Sequence, residues 1–339
     1  MNIVSIIDDT IRPAVDSGKV VGMAVGVVAP DRHWVFGIGT TSSDSPSVPN
    51  GRAVYEIGSI SKVFTSLILA DMVERGEVAL DDPIQRFLPE GVTAPTRNDK
   101  EITLRLLATH ASGLPRLPSN LKINPRDPYV DYSESDLLAF LSNHKLKRDP
   151  GERAEYSNLG AGLLGWLLAR KAGKSSYEEL MIERVATPLG MHETRVEFTP
   201  SMRERVAQGY SRPGTKAGNW TLRSLAGAGG IRSTVDDMCR FVRLFANPGN
   251  SPLASAAKLT MQPQRDFGDS KIGLGWLLLK DGAVFHNGQT GGYHSAIAIH
   301  PEKAFGLVIL SNTATDDVDN AGRNLFARLA KDLAPAASR

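Results

Sequence analysis

The spacing of hydrophobic residues changes along the chain and predicts strands near both ends with helices between them. An amphipathic surface helix is predicted first, because isoleucines recur at helical spacing at Ile3, Ile6, Ile7 and Ile11. Two apolar runs follow, VVGMAVGVVAP and HWVFGIGT, and the turn at Asp31-Arg32 predicts that they pair as strands. The next run, SISKVFTSLILADMVERGE, is apolar around most of its circumference, which predicts a buried helix.

Between Asp81 and Phe245, helical patterns alternate with loops rich in proline and glycine. The loop from Ser112 to Tyr132 carries four prolines, and loops of that length tend to be binding loops or lids. After Gly273 the apolar runs become short and are separated by turn residues, which predicts antiparallel strands. A closing helix is predicted from Asp316 to Leu333.

This order of elements predicts an α+β fold in which both chain ends build one antiparallel sheet. Residues 1–56 and 267–339 form the predicted sheet region, which the terminal helices flank. Residues 57–266 form the predicted inserted region, which is mainly helical. We expect an active site at the seam between the two regions.

Composition excludes several classes of protein. The 339 residues are 41% hydrophobic and 22% charged, which is typical of a globular protein with a sizeable core. Lys and Arg number 39 against 37 for Asp and Glu, without a basic cluster, so we expect no nucleic-acid partner. No apolar run reaches the roughly 20 residues of a membrane span. A lone cysteine, Cys239, excludes an internal disulfide and thiolate metal clusters.

The amino terminus leaves the compartment open. Two aspartates and no basic residue before Arg12 are unlike a secretory signal. The expectation is a cytoplasmic protein if the chain is complete and a periplasmic one if a signal peptide preceded it. Oligomeric state has no signature in the pattern.

The tetrad Ser59-Ile60-Ser61-Lys62 carries the first candidate chemistry. On a helix, residues three apart share a face, so the Lys62 amine can reach the Ser59 hydroxyl. A serine needs a neighbouring base to become a nucleophile, and a buried lysine of lowered pKa can be that base. The alternative is a helix N-cap with a surface lysine. The same S-x-x-K spacing recurs in polar stretches at Ser119/Lys122, Ser142/Lys145 and Ser255/Lys258.

Two further motifs lie downstream. Tyr156-Ser157-Asn158 precedes the helical run LGAGLLGWLLARKAG; its tyrosine can relay protons and its amide can bind a substrate, although Asn158 could simply cap the helix. His286-Asn287-Gly288, followed by Gln289, lies in a glycine-rich turn where a backbone N–H can point at an oxyanion. An ordinary hairpin is the alternative for this motif.

Taken in order, S-x-x-K, Y-x-N and H-x-G resemble the class C β-lactamase and penicillin-binding-protein-like family of active-site serine enzymes. The segments VYEIGSISKVFT, LLATHASGLP, PGERAEYSNLG, HNGQTGGYHS and IHPEKAFGLVILSN extend the resemblance over nearly the whole chain. It implies a β-lactamase/transpeptidase-like fold. The family includes β-lactamases, D,D-peptidases, D-aminopeptidases and family VIII carboxylesterases.

The resemblance also implies roles for single residues. Ser59 would form an acyl-enzyme, and Lys62 and Tyr156 would share the general-base and general-acid work in an order that stays open. Asn158 would contact both Lys62 and an amide of the substrate. The remaining implied residues contact the substrate: the backbone N–H groups of Ser59 and Gln289 as the oxyanion hole, His286 and Gly288 as the opposite wall, and Asn312 near a substrate carboxylate.

One departure bears on the substrate. The third motif of class C β-lactamases reads K-T-G, whereas this chain has His286-Asn287-Gly288. Histidine is mostly neutral near pH 7, which weakens attraction for a substrate carboxylate, and Asn287 in place of threonine alters the hydrogen bonding of that wall. We expect a β-lactamase-like hydrolase of small acyl substrates without cofactor or metal. A promiscuous short-chain carboxylesterase and a D-amino-acid-specific peptidase or amidase are alternatives, and an inactive binding protein comes last.

Overall fold

A computed structural model describes residues 3–44 and 46–332 of the chain. Most strands lie near the two ends of the chain and most helices lie between them, as the apolar pattern predicts. The α-helices are α1 (Ile3–Asp16), α2 (Ser61–Glu74), α3 (Leu104–Ala108), α4 (Glu134–Asn143), α5 (Asn158–Lys171), α6 (Tyr177–Met181), α7 (Pro200–Arg203), α8 (Val235–Ala246), α9 (Ala254–Thr260) and α10 (Asp317–Asp332). The strands are β1 (Gly22–Val28), β2 (His33–Gly39), β3 (Val54–Glu56), β4 (Tyr210–Arg212), β5 (Thr215–Lys216), β6 (Arg232–Thr234), β7 (Arg265–Phe267), β8 (Ser270–Ile272), β9 (Leu277–Leu278), β10 (Val284–Gln289), β11 (His294–His300) and β12 (Phe305–Ser311).

Both ends of the chain contribute to one sheet, as predicted. Within the described residues this sheet has eight strands in the order β2-β1-β12-β11-β10-β9-β8-β7, each antiparallel to its neighbours. Every residue of β1, β11 and β12 is buried, because helices cover both faces of the sheet centre. Their near-continuous apolar sequences satisfy that requirement on both sides. The predicted fold class is confirmed.

The terminal helices α1 and α10 cover one face, which we call the rear face. Ile3, Ile7 and Ile11 are buried there with Leu325 and Leu329 of α10 in one apolar cluster. The predicted amphipathic start and the closing helix are therefore both present, and Leu333 lies outside the described residues.

The opposite face, which we call the front face, packs against α2 and α8. Phe64 of α2 and Phe241 of α8 stack with ring centroids 4.0 Å apart. Residues 61–72 of α2 are all buried, as the apolar circumference of this helix predicts. The amino end of α2 thereby lies against the sheet, and any polar side chain there is held in an apolar setting.

The inserted region differs in detail from its helical prediction. The run SSYEELMIERVATPL forms α6 and then a single π-helical turn, in which the Thr187 N–H donates to the Ile182 carbonyl before Pro188 ends the helix. Two small two-stranded sheets, β3-β6 and β4-β5, were not predicted. The division into residues 1–56 with 267–339 and residues 57–266 stays a prediction. No helix in the described part of the chain combines the length and the apolarity that a membrane span needs.

Candidate active site

Ser59 lies in a 3₁₀ turn, Gly58–Ile60, that leads directly into α2. The backbone of β10 packs tightly against this turn. A Cβ atom at Gly288 would lie 2.1 Å from the Ile57 carbonyl oxygen, and one at Gly58 would lie 2.7 Å from the Gln289 amide nitrogen. Gly58 also has a φ of +50°, which favours glycine. The two glycines therefore bring the amides of Ser59 and Gln289, the expected oxyanion donors, onto abutting segments.

Lys62 reaches Ser59 from the first turn of α2. Its Nζ atom lies 2.9 Å from Ser59 Oγ and 2.6 Å from the Ala228 carbonyl oxygen. Only 2% of the residue is exposed, and this burial, assisted by the positive charge of Arg116, holds its pKa well below the ordinary lysine value. The lysine is thus not the surface residue of the alternative interpretation.

Tyr156 lies on the other side of the lysine. Its ring centroid is 4.8 Å from Lys62 Nζ and 4.5 Å from the ring of His110. Burial raises the pKa of Tyr156 to about 12, against the opposing effects of a hydrogen bond with Ser59 and the charge of Arg116. The phenol therefore keeps its proton near neutral pH.

Ser157, and not Asn158, caps helix α5. Its hydroxyl accepts a hydrogen bond from the Gly160 N–H and donates one to the Pro115 carbonyl. Asn158 is left to face the cavity, where its Nδ2 donates to the Tyr129 hydroxyl at 3.4 Å. Its buried Oδ1 has no partner in the described chain, and the expected contact with Lys62 is not present as a hydrogen bond.

His286 and Asn287 point to opposite faces of the sheet, since side chains alternate along a strand. His286 is buried near Lys62 on the front face, and burial, with the lysine charge, lowers its pKa to about 4. The Asn287 amide donates to the Asp319 carboxylate of α10 at 2.7 Å, and Asp319 lies 3.0 Å from His294 Nε2. The amide of Asn287 thus forms its hydrogen bond on the rear face of β10. This corrects the expectation that it changes the hydrogen bonding on the cavity side.

Asn312 is not brought to the cavity. It is fully buried, and its Nδ2 donates to the carbonyl oxygens of Thr40 and Thr41. The structure therefore gives no support to the expected contact between Asn312 and a substrate carboxylate. Its side chain joins the loop after β2 to the end of β12.

A cavity of about 370 Å³ opens beside Ser59, within the size range of small-molecule sites. The proline-rich loop between Ser112 and Tyr132, the segment around Trp220 and the H-N-G motif all contribute to it. The lining residues are Ser59, Arg116, Leu117, Tyr129, Tyr156, Asn158, Trp220, Asn287, Gly288 and Gln289.

Sequence reasoning missed four residues of this site. Tyr129 and Trp220 form one edge of the cavity, with ring centroids 5.7 Å apart. The backbone N–H of Trp220 donates to Glu56, a buried carboxylate 3.4 Å from a guanidinium nitrogen of Arg232. No local pattern marked these aromatics. The other two are His110, within the segment LLATHASGLP that contributed to the family resemblance, and Arg116, which directly follows that segment.

His110 positions the tyrosine motif. It has a left-handed backbone with a φ of +56° and is buried, and its Nδ1 accepts a hydrogen bond from the Ser157 N–H at 3.2 Å. Burial, with the nearby charge of Lys62, holds its pKa well below the ordinary histidine value, which suits an acceptor.

The residues that could hold a metal ion lie away from the cavity. His294, Asp316 and Asp319 place one donor atom each within 4.8 Å of the others, behind the sheet. In the described part of the chain no comparable group surrounds Ser59.

Comparison with known proteins agrees with this geometry. The family model described as Beta-lactamase matches residues 7–332. A Beta-lactamase of Escherichia coli K12 is 31% identical, over 91% of this chain and 88% of the relative. The D-alanyl-D-alanine-carboxypeptidase/endopeptidase AmpH of the same organism is 30% identical, over 85% of this chain and 78% of the relative. Putative beta-lactamase-like 1 of Homo sapiens is 29% identical, over 98% and 68%. The chain therefore belongs to the beta-lactamase family, a family of serine hydrolases that act on small acyl substrates.

Proposed function

We propose that the chain is a β-lactamase-like serine hydrolase that works through an acyl-enzyme on Ser59. The observation that carries the proposal is the 2.9 Å contact between Ser59 Oγ and the buried Nζ of Lys62. Because burial holds its pKa well below the ordinary lysine value, Lys62 is shifted towards the neutral, basic amine. It donates to the Ala228 carbonyl and offers its lone pair to the serine proton.

Acylation then follows from the positions of these groups. The Ser59 oxygen attacks the substrate carbonyl carbon while its proton passes to Lys62. The oxyanion accepts hydrogen bonds from the backbone N–H groups of Ser59 and Gln289. When the tetrahedral intermediate collapses, the bond to the leaving nitrogen or oxygen breaks and the leaving group takes a proton from the Tyr156 hydroxyl, which Lys62 reprotonates. Water repeats the sequence in the second half-reaction and releases the acid.

Asn158 and His286 supply two further elements of this proposal. The unpartnered Oδ1 of Asn158 can accept a hydrogen bond from a substrate amide N–H, as in a β-lactam side chain or a peptide. His286 is a neutral wall at pH 7. That neutrality favours the second candidate, a short-chain carboxylesterase, because an ester substrate needs no cation at this position. A D-amino peptidase is a third candidate, which the name of the AmpH relative supports.

The proposal is tested by acylation in the folded protein. We expect a labelled penicillin or a p-nitrophenyl ester to add its acyl mass to the peptide that contains Ser59. Ser59→Ala should abolish the adduct. Ser255→Ala, which changes an exposed serine with the same S-x-x-K spacing, is the matched control and should keep it. If no acyl donor modified the folded protein, the proposal would be wrong. Steady-state kinetics with a cephalosporin, a short-chain ester and a D-alanyl peptide then rank the candidate substrates.

A further inference from the structure

Arg116 is the one permanently charged side chain among the described residues that line the cavity. Its backbone is held firmly, because the Arg116 carbonyl accepts hydrogen bonds from the N–H groups of Asn158 and Leu159 at 3.0 and 3.2 Å. The preceding carbonyl, of Pro115, accepts from the Ser157 hydroxyl. The arginine is thus attached to the start of α5, which also carries the tyrosine motif.

No hydrogen bond of the described residues involves the guanidinium of Arg116. It lies 5.1 Å from the centroid of the Tyr156 ring, and within the described chain it forms neither a hydrogen bond nor an ion pair. An arginine side chain has five N–H donors in a planar fork that matches a carboxylate. In the cavity these donors remain available to a ligand.

Burial disfavours the charged forms of the other basic groups of the site. Burial and the charge of Arg116 hold the pKa of Lys62 well below its usual range, and burial lowers the pKa of His286 to about 4. The guanidinium of Arg116 keeps its positive charge, because an arginine side chain is not deprotonated in proteins.

We infer that Arg116 forms a carboxylate-binding subsite, so that acyl donors carrying a carboxylate are preferred over neutral esters. This inference rests on the proposed acyl-enzyme at Ser59 and names a substrate class for it. A β-lactam with its ring carboxylate and a peptide with a free carboxyl terminus belong to this class. Arg116 thereby supplies the attraction for a substrate carboxylate that a lysine at the position of His286 would supply.

The test compares esters that differ only in a carboxylate. Phenyl acetate and 3-carboxyphenyl acetate place it on the leaving group, and p-nitrophenyl butyrate and mono-p-nitrophenyl succinate place it on the acyl group. The variant is Arg116→Met, which keeps an aliphatic stem over Tyr156 and removes the charge. We expect kcat/KM for the anionic member of at least one pair to fall about 10- to 100-fold, mainly through KM. Both neutral esters should lose less, and their loss measures the separate effect of the Arg116 charge on the pKa of Lys62.

Two further variants sharpen the result. Arg116→Lys should recover part of the preference, because it keeps the charge and loses the planar fork. Arg126→Met, in the same loop but outside the cavity lining, is the matched control and should leave all four rates unchanged. Equal losses for the neutral and anionic members of both pairs, or no loss in either, would overturn the inference. Failure of the wild-type protein to hydrolyse any ester, lactam or D-alanyl peptide would overturn the acyl-enzyme proposal first.

Discussion

The polar side chains on the two faces of strand β10 have different surroundings. On the front, His286 lies near Lys62 and Tyr156, and burial shifts the pKa of each towards its uncharged form. On the rear, Asn287 donates to the Asp319 carboxylate, which lies beside His294. The front face leaves reactive groups poorly solvated, whereas on the rear face the Asn287 amide is hydrogen-bonded to a carboxylate. The contrast indicates that the tripeptide His286-Asn287-Gly288 has two functions. His286 lines the reactive site on one side, and Asn287 attaches the strand to α10 on the other.

Removal of the Lys62 amine from the front face should have the largest effect, which is on kcat/KM. Lys62→Met should lower kcat/KM by about 10²–10⁴-fold, because it deletes the base and keeps the side-chain volume. The free energy of unfolding should hold or rise, since a poorly solvated amine is also removed. Lys258→Met, in the exposed S-x-x-K pair of α9, is the matched control for kinetics and for urea unfolding. Near-wild-type turnover by Lys62→Met would remove the lysine from the mechanism.

The next effect is on stability as a function of pH. The folded pKa of His286 is about 4 and the unfolded value about 6.5, so the unfolded chain binds more protons between these values. Stability is therefore complete above pH 6.5 and is lost as the pH falls towards 4, by about 3 kcal/mol from this residue. Urea unfolding of the wild type and of His286→Gln at pH 7, 5.5 and 4.5 measures the difference.

The groups around His286 define the controls for that experiment. Burial and the charge of Lys62 lower its pKa, whereas its contact with the Asn287 carbonyl and the charge of Asp319 oppose them. His286→Gln should have a shallower slope than the wild type. Replacement of the exposed His33 of β2 by glutamine should keep the wild-type slope. Identical slopes for wild type and His286→Gln would show that the front histidine does not stay neutral in the folded state.

The smallest effect is expected at the rear. Asp319→Ala leaves the Asn287 amide without its acceptor, which should lower the free energy of unfolding by about 1–3 kcal/mol. The loss of kcat/KM should be far smaller than that of Lys62→Met, because no rear group contacts the cavity residues that react. Asp317→Ala, on the same helix, breaks a surface pair with Lys19 and should cost under about 1 kcal/mol. If Asp319→Ala lowered kcat/KM as much as Lys62→Met, the difference between the front and rear faces would be wrong.

Much of the fold could be predicted because its signals are local. The isoleucines of α1 and the apolar circumference of α2 have fixed periods, and both helices form where expected. The hairpin β7–β8 was missed because its sequence, RDFGDSKI, is largely polar and lies at the sheet edge, where burial imposes no apolar alternation. The order of strands in the sheet depends on contacts far apart in sequence, so no local pattern specified it.

Site residues could be predicted where a motif fixes their spacing in the sequence. They were missed where contacts with distant parts of the chain decide where the residue points. Ser59 and Lys62 are three residues apart on consecutive helical turns, and the predicted contact is present. Asn312 follows a strand, and only the packing of the loop after β2 turns its amide away from the cavity. Arg116 could not be predicted either, since hydrogen bonds from α5, which is distant in sequence, hold its backbone beside the cavity.

Gly58 and Gly288 lie where the Ser59 turn packs against β10, and we call this contact the glycine seam. Its tight packing limits which positions of the site can be redesigned. Neither Gly58 nor Gly288 has room for a methyl group, so a mutant library that randomises the seam would consist largely of distorted proteins. Arg116, Tyr129 and Trp220 line the cavity from loops outside the large sheet. Selection for a new substrate should therefore accumulate changes at these three positions and leave the two glycines untouched.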